Sequence, residues 1–261
     1  MDVRSLAWRT DLALLQYSGS IVEDHGDHLV VRTPLNPVFY WGNFLLLATA
    51  AVPETMDHWL RRFESEFPDA RHRTFGVDGA DGQLADLDPF TAAGFEPECS
   101  TVMTADAVHP PARPNTEAVI RPLASDGDWA QQVELSLAGE DADVTPDFVV
   151  PRVAAERALV DRGDGRWYGA FLADKLVSSL GLFTASEGLA RFQDVKTHPD
   201  ARGRGLAGSV VHTASRWALD ELGARTLVMV ADPDYLAIRI YRAVGFTDSE
   251  TQLQAMRTPN D

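Results

Sequence analysis

The spacing of apolar residues in the first part of the chain predicts a compact unit of helices and strands. Apolar side chains recur at helical spacing between residues 54 and 67, which predicts a helix with one buried face. That face comprises Met56, Trp59, Leu60, Phe63 and Phe67. Short β-rich runs bounded by polar turns predict strands. They fall at 28–32, 44–49, 73–77 and 100–104, with a second helix at 84–93.

The second part of the chain again alternates strands and helices. From Leu206 apolar residues recur at 3.6-residue spacing up to Gly223, a residue suited to the left-handed position that ends helices. The almost wholly apolar run 226–231 is typical of an interior strand. A short helix follows, and Asp234 is predicted to cap it. The other predicted elements are strands at 119–123, 167–172, 177–183 and 189–197 and helices at 130–138 and 149–160.

The two parts end in matching segments. Residues 90–95 (FTAAGF) and 241–246 (YRAVGF) each combine a helix end, a glycine and a phenylalanine ahead of a strand-like run. Between the two parts, residues 108–115 contain Pro110, Pro111 and Pro114, which favours an extended, semi-rigid connector. The sequence therefore predicts two domains, 1–112 and 116–261.

A glycine-rich loop between a strand and a helix carries the clearest chemical signal. Residues 195–208 (VKTHPDARGRGLAG) can turn successive backbone N–H groups toward one point, at the positive end of the helix that begins there. Such a loop can hold a diphosphate. Residues 203–208 also match the dinucleotide pattern GxGxxG. However, the polar run 196–202 separates these glycines from the apolar strand, and the 53 residues after Gly208 are too few to complete a doubly wound sheet. Both observations argue against a dinucleotide-binding fold.

Composition excludes several classes of function. The formal charge of −16 argues against a nucleic-acid binder, which needs a basic face. No run of 18 to 20 apolar residues predicts a membrane span, so the expected compartment is the cytoplasm. With Cys99 as the only cysteine and no paired histidine spacing, no metal is expected.

Two motifs together resemble the GNAT (GCN5-related N-acetyltransferase) superfamily. The first is Arg202-x-x-Gly205-x-Ala207, and the second is Asp234-x-x-Ala237-x-x-Ile240-Tyr241-x-x-x-Gly245-Phe246. The element order from 119 to 246 is also similar. The resemblance implies an α+β fold of two GNAT-like domains, each with a mixed, splayed β-sheet flanked by helices. It also implies acetyl-CoA or another acyl-CoA as co-substrate and an amine, on a small molecule or a peptide, as acceptor.

The resemblance also implies roles for particular residues. Tyr241 corresponds to the tyrosine that protonates the departing thiolate. The implied cofactor-binding residues are Val195 and Thr197 for the pantetheine arm, Arg202, Gly203, Arg204, Gly205, Leu206, Ala207 and Gly208 for the diphosphate, and Asp234 in place of the usual asparagine. The N-terminal half lacks the loop motif, with only AAVP at 50–53, and has Phe90 where the other half has Tyr241. It is therefore expected to be a degenerate copy.

The general base stays open at the sequence level. The family's carboxylate or histidine would fall at Arg191 or Gln193, and neither accepts a proton at neutral pH. Asp194 should point to the other side of the strand. The remaining alternatives are a water held by Gln193 or an acidic residue such as Glu134, Glu140 or Asp141. The missing base leaves a non-catalytic acyl-CoA-binding or sensing module as the second interpretation. The sequence does not fix the oligomeric state, and a homodimer is possible.

Overall fold

The computed structural model describes residues 1–138 and 144–258 and divides into two compact units. The first unit comprises Met1–Val102 and the C-terminal segment that starts at Ser249, and the second runs from Met103 to Asp248. The mixed α+β architecture that the sequence predicts is confirmed. Among the described residues, no helix combines the length and the apolar character required to cross a bilayer.

The first unit has strands and helices in the predicted order, with two elements that the sequence pattern did not reveal. These are α1 (Leu6–Tyr17), which Ser5 caps, and β1 (Ile21–Asp24). The remaining elements are β2 (His28–Arg32), β3 (Phe44–Leu47), α2 (Met56–Glu66), β4 (Arg73–Val77), α3 (Asp88–Ala92) and β5 (Glu96–Ala105). The buried face of α2 is as predicted at Met56, Trp59 and Phe63, whereas Leu60 and Phe67 are half-buried.

The final strand of the chain completes the sheet of this first unit. β11 (Thr247–Arg257) pairs antiparallel with β4, with Leu253 opposite Val77 and Arg257 opposite Arg73. β3 pairs with β4 in parallel up to the end of both strands, at Leu47 opposite Val77. The compact units therefore differ from the predicted domains 1–112 and 116–261, because the hydrogen-bond partners of β11 lie in the N-terminal segment.

In the second unit, a five-stranded sheet has the order β10-β9-β8-β7-β6. One face carries the buried cluster that packs against the long helix α6. Gly223, at a φ of 81°, ends the π-helical turn after this helix, as predicted. The elements are β6 (Val119–Pro122), α4 (Asp126–Leu137), α5 (Pro146–Asp161), β7 (Gly165–Leu172), β8 (Lys175–Ser186), β9 (Leu189–Thr197), α6 (Leu206–Trp217), β10 (Thr226–Ala231) and α7 (Ala237–Val244).

Candidate functional site

The central feature of the second unit is a gap between two parallel strands. β9 and β10 pair from Leu189 opposite Thr226 only as far as Arg191 opposite Val228. Both strands continue beyond that point, to Thr197 and Ala231. A cavity of about 240 Å³ lies between their unpaired ends. Its walls include Phe192, Asp194 and Val195 of β9, Met229 and Val230 of β10, and Tyr241 of α7.

A β-bulge in β9 brings Asp194 to this cavity. Gly181 of β8 lies opposite Gln193, whereas Ser179 lies opposite Lys196, so two steps along β8 match three along β9. Asp194 has a φ of 47°, a left-handed conformation that aspartate tolerates better than most residues. The expectation that Asp194 points to the other side of the strand is therefore wrong, because the extra residue of the bulge breaks the alternation of side chains.

Tyr241 contributes a buried phenol to the same cavity. α7 packs its apolar face on the core, and Tyr241 is 5% exposed. Burial raises the pKa of Tyr241 well above its usual range, and the nearby Tyr235 and Asp194 raise it further. The hydroxyl therefore stays protonated at neutral pH and can donate a proton or a hydrogen bond.

The predicted phosphate loop precedes α6. Gly203 and Gly205 have φ values of 75° and 74°, the left-handed region that favours glycine. Gly205 directly precedes the first residue of α6, Leu206, and no side chain caps that end of the helix. A Cβ on Gly203 would meet nothing within 4 Å. The first-turn amides of α6 thus lack a side-chain acceptor, beside an open side of the loop.

The proline-rich connector packs against this same helix start. A Cβ on Gly205 would lie 2.3 Å from the carbonyl oxygen of Arg113. The Asn115 side chain donates a hydrogen bond to the carbonyl oxygen of Arg204 at 2.9 Å. The Arg204 guanidinium forms an ion pair with Glu117. The connector therefore supports the loop from one side.

The other predicted residues divide between cavity, core and surface. Val195 lines the cavity, and the Thr197 hydroxyl forms a 2.8 Å hydrogen bond with Ser178. Arg202 is exposed, Ala207 is half-buried, and Leu206 and Gly208 are buried. The prediction that Asp234 caps α7 is wrong, because α7 begins at Ala237. The Asp234 amide instead donates to the Asp232 carboxylate, so that Asp232 forms the turn before the helix.

A buried carboxylate on α5 was missed by the sequence analysis. Glu156 is 7% exposed, and its Oε1 lies 3.0 Å from Nε of Arg152. Arg152 also donates to Oε1 of Gln193 at 3.3 Å. Burial raises the pKa of Glu156 to about 7, and the charge of Asp194 adds to this shift. A glutamate on the interior side of a helix is the sequence signal that would have revealed it.

The predicted positions for the base carry no carboxylate near the cavity. Arg191 is 7% exposed, and Gln193 bonds Arg152. Glu134 is exposed on α4. Glu140 and Asp141 lie outside the described residues. Asp194, in contrast to Glu134, lines the cavity.

Comparison with known proteins finds a family match within the second unit. The model of the acetyltransferase (GNAT) family matches residues 137–246. Among curated protein sequences, none matches the chain. Solved structures share its fold over most of its length. A GCN5-related N-acetyltransferase from Kribbella flavida is 14% identical, with a TM-score of 0.66 over 98% of this chain and 97% of its own.

Two further structures have similar folds. A conserved protein of unknown function from Staphylococcus epidermidis is 12% identical, with a TM-score of 0.69 over 92% of this chain and 94% of its own. A tandem GNAT protein from the clavulanic acid biosynthesis pathway is 15% identical, with a TM-score of 0.57 over 97% and 88% of the two chains. Residues 137–246 therefore match the model of the GNAT acetyltransferase family, within a chain that takes the α+β fold of GNAT structures along its length.

Proposed function

We propose that this protein is an N-acyltransferase that transfers the acetyl group of acetyl-CoA to a primary amine by direct attack. The observation that carries the proposal is the gap between β9 and β10, which end their pairing at Arg191 and Val228 and enclose a cavity beside Tyr241. Acetyl-CoA would supply a thioester there. Val195 lies on the cavity wall, where its backbone can bond the extended pantetheine arm.

The start of α6 suits the diphosphate of the donor. Its first-turn amides have no side-chain acceptor, and the helix end carries partial positive charge. Gly203 leaves the adjacent space open, and exposed Arg202 can add a cationic contact. Arg204 already pairs with Glu117, so Arg202 is the better candidate for a phosphate contact.

Tyr241 suits the role of general acid. An amine that attacks the thioester expels a thiolate, whose departure is easier if a proton is delivered to sulfur. Because burial raises the pKa of Tyr241, the phenol still holds its proton when the thiolate departs. The proton that leaves the amine nitrogen can then restore the phenol.

Among its described residues, the first unit lacks the gap and the tyrosine on which the proposed donor binding rests. Its parallel pair β3 and β4 stays hydrogen-bonded to the end, and the Asp78 amide adds a bond to the Leu47 carbonyl at 2.8 Å. Phe90, which takes the place of Tyr241, is fully buried and packs 5.2 Å from Phe75. We therefore propose that this half binds no acyl-CoA and has become a structural partner.

A non-catalytic acyl-CoA-binding module is the second candidate. The observation in its favour is that Arg191 and Gln193 stand at the positions where a base would be expected. In that case the donor would bind without turnover.

Release of free coenzyme A in steady state separates the two candidates. Acetyl-CoA is supplied with polyamines, aminoglycosides, amino acids and peptide N-termini in turn, and donor binding is measured by calorimetry. We expect one molecule of donor bound per chain and turnover with at least one amine. Binding without turnover would favour the module, and absence of binding would contradict the proposed function.

A further inference from the structure

The cavity beside Tyr241 has an acidic lining. Asp194 and Asp232 contribute carboxylates, and none of the described residues that line it is basic. The remaining lining is apolar or phenolic. An electronegative cavity attracts a cation and repels an anion. A primary amine is such a cation, because its pKa of ~10.4 keeps it protonated at neutral pH.

Asp194 is the better placed of the two carboxylates. It lies on β9 directly before Val195, at the bulge where the strand leaves β10. Asp232, by contrast, is engaged in the turn before α7, where its carboxylate accepts a hydrogen bond from the Asp234 amide. The bulge therefore presents Asp194 at the point where the thioester would lie under the proposed function.

The carboxylate of Asp194 is accessible to an ammonium group. Its side chain is 31% exposed, and Nζ of Lys196 lies 3.3 Å from Oδ2. Such a partly exposed pair is weak because solvent screens it, so an incoming ammonium can compete with Lys196 or share the carboxylate. The charge of Asp194 also raises the pKa of Tyr241, which lines the same cavity.

We propose that Asp194 binds the acceptor, a primary amine that enters as an ammonium ion, and takes its first proton. This inference rests on the proposed function. The neutral nitrogen then attacks the thioester carbonyl, the C–N bond forms and the C–S bond breaks. Tyr241 protonates the sulfur and recovers a proton from the acylated nitrogen. Asp194 releases the first proton to solvent, so one proton is liberated for each amide formed.

Removal of the carboxylate tests this role. Asp194→Asn preserves the size of the side chain and its tolerance of the left-handed conformation. Asp194→Gly removes the carboxylate and relaxes the φ of 47°, which guards against a folding defect. The matched control is Asp174→Asn, because Asp174 is also left-handed, at a φ of 64°, and lies in the exposed turn between β7 and β8.

The readouts are kcat and KM for the amine panel and the Kd of coenzyme A. Both Asp194 variants should lose about 10²-fold or more in kcat/KM for the amine. Their Kd for coenzyme A should stay within about threefold of wild type, which is a change in binding free energy of less than about 1 kcal/mol. Asp174→Asn should leave kcat, KM and Kd unchanged.

Three outcomes would overturn the inference in distinguishable ways. Retention of wild-type kcat/KM by the Asp194 variants would exclude the proposed role of Asp194 but leave the proposed function standing. Binding of coenzyme A without turnover of any amine in the panel would exclude the amine-acceptor role and favour the module. Failure of the wild-type protein to bind coenzyme A would overturn the proposed function and this inference with it.

Discussion

Glu156 makes folding stability depend on pH. In the unfolded chain this carboxyl titrates near 4.5, whereas its burial in the folded protein raises its pKa to about 7. The folded state therefore binds a proton that the unfolded chain releases. The resulting stabilisation is complete below pH 4.5 and is lost as the pH rises through about 7. A shift of this size corresponds to about 3 kcal/mol.

Glu156→Gln should remove this pH dependence. Between pH 5 and pH 8, the free energy of unfolding should fall by about 2–3 kcal/mol more in the wild type than in the variant. Urea denaturation at a series of pH values measures the difference. Glu134→Gln, a change at an exposed position of α4, should follow the wild type. Parallel curves for wild type and Glu156→Gln would show that Glu156 ionises normally.

Tyr241→Phe should separate catalysis from binding. The loss of the phenol removes the proposed proton donor but retains the buried ring, so kcat should fall by about 10²-fold. The Kd of coenzyme A should not change. Tyr168→Phe is the matched control, since Tyr168 is a second tyrosine buried in this unit, at 4% exposed. Unchanged turnover in Tyr241→Phe would exclude the general-acid role.

At the residue scale, sequence reasoning found what the motifs encode. Tyr241 and Val195 line the cavity as the family resemblance implied. Asp194 was set aside by the alternation rule, which does not hold at a bulge. An aspartate within a β-rich run is itself a sign of irregular strand geometry. Glu156 was missed because its burial depends on how α5 packs in the fold, whereas its contact with Arg152 lies within the helix.

At the element scale, the start of α6 combines two requirements. Its amides must stay uncapped to meet a phosphate, and Gly205 must lack a side chain because the Arg113 carbonyl occupies the adjacent space. A substitution at Gly205 would therefore disturb the packing of the connector as well as the binding of a ligand. The sequence predicted the loop but not the contact between the loop and the connector. The composition of a proline-rich segment does not indicate which residues it packs against.

Ala207→Glu offers a cleaner test of the helix start. A carboxylate in the first turn is favourable for the helix, so folding should be preserved. The same charge should repel a diphosphate and raise the Kd of coenzyme A at least about tenfold. This corresponds to a loss of about 1.4 kcal/mol in binding free energy. Ala207→Gln, of equal size and no charge, should stay within about threefold. Calorimetry measures both values, and equal affinities for the two variants would place the diphosphate elsewhere.

At the scale of the whole molecule, the order of elements could be predicted but the composition of the units could not. The repeated ending at 90–95 and 241–246 correctly located two helix ends, with Gly94 and Gly245 at positive φ. The strands after them looked equivalent in sequence. Only the hydrogen bonds reveal that β11 pairs with β4 of the first unit.

Leu253→Ala should therefore destabilise the N-terminal unit, although residue 253 is close to the C-terminus. Leu253 is 4% exposed and belongs to the core cluster that includes Phe75 and Phe90. The expected loss is about 2–5 kcal/mol. Hydrogen exchange by mass spectrometry should show faster exchange in β3 and β4. Gln254→Ala, on the adjacent position of the same strand, should have little effect, and slow exchange in Leu253→Ala would contradict the pairing.

The most direct test of the proposed function is a crystal structure of the protein with coenzyme A. We expect the diphosphate within hydrogen-bond distance of the backbone amides between Gly203 and Gly208, and the pantetheine arm in the gap between β9 and β10 with its sulfur toward Tyr241. Coenzyme A bound in the first unit, or bound without contact to the start of α6, would contradict it.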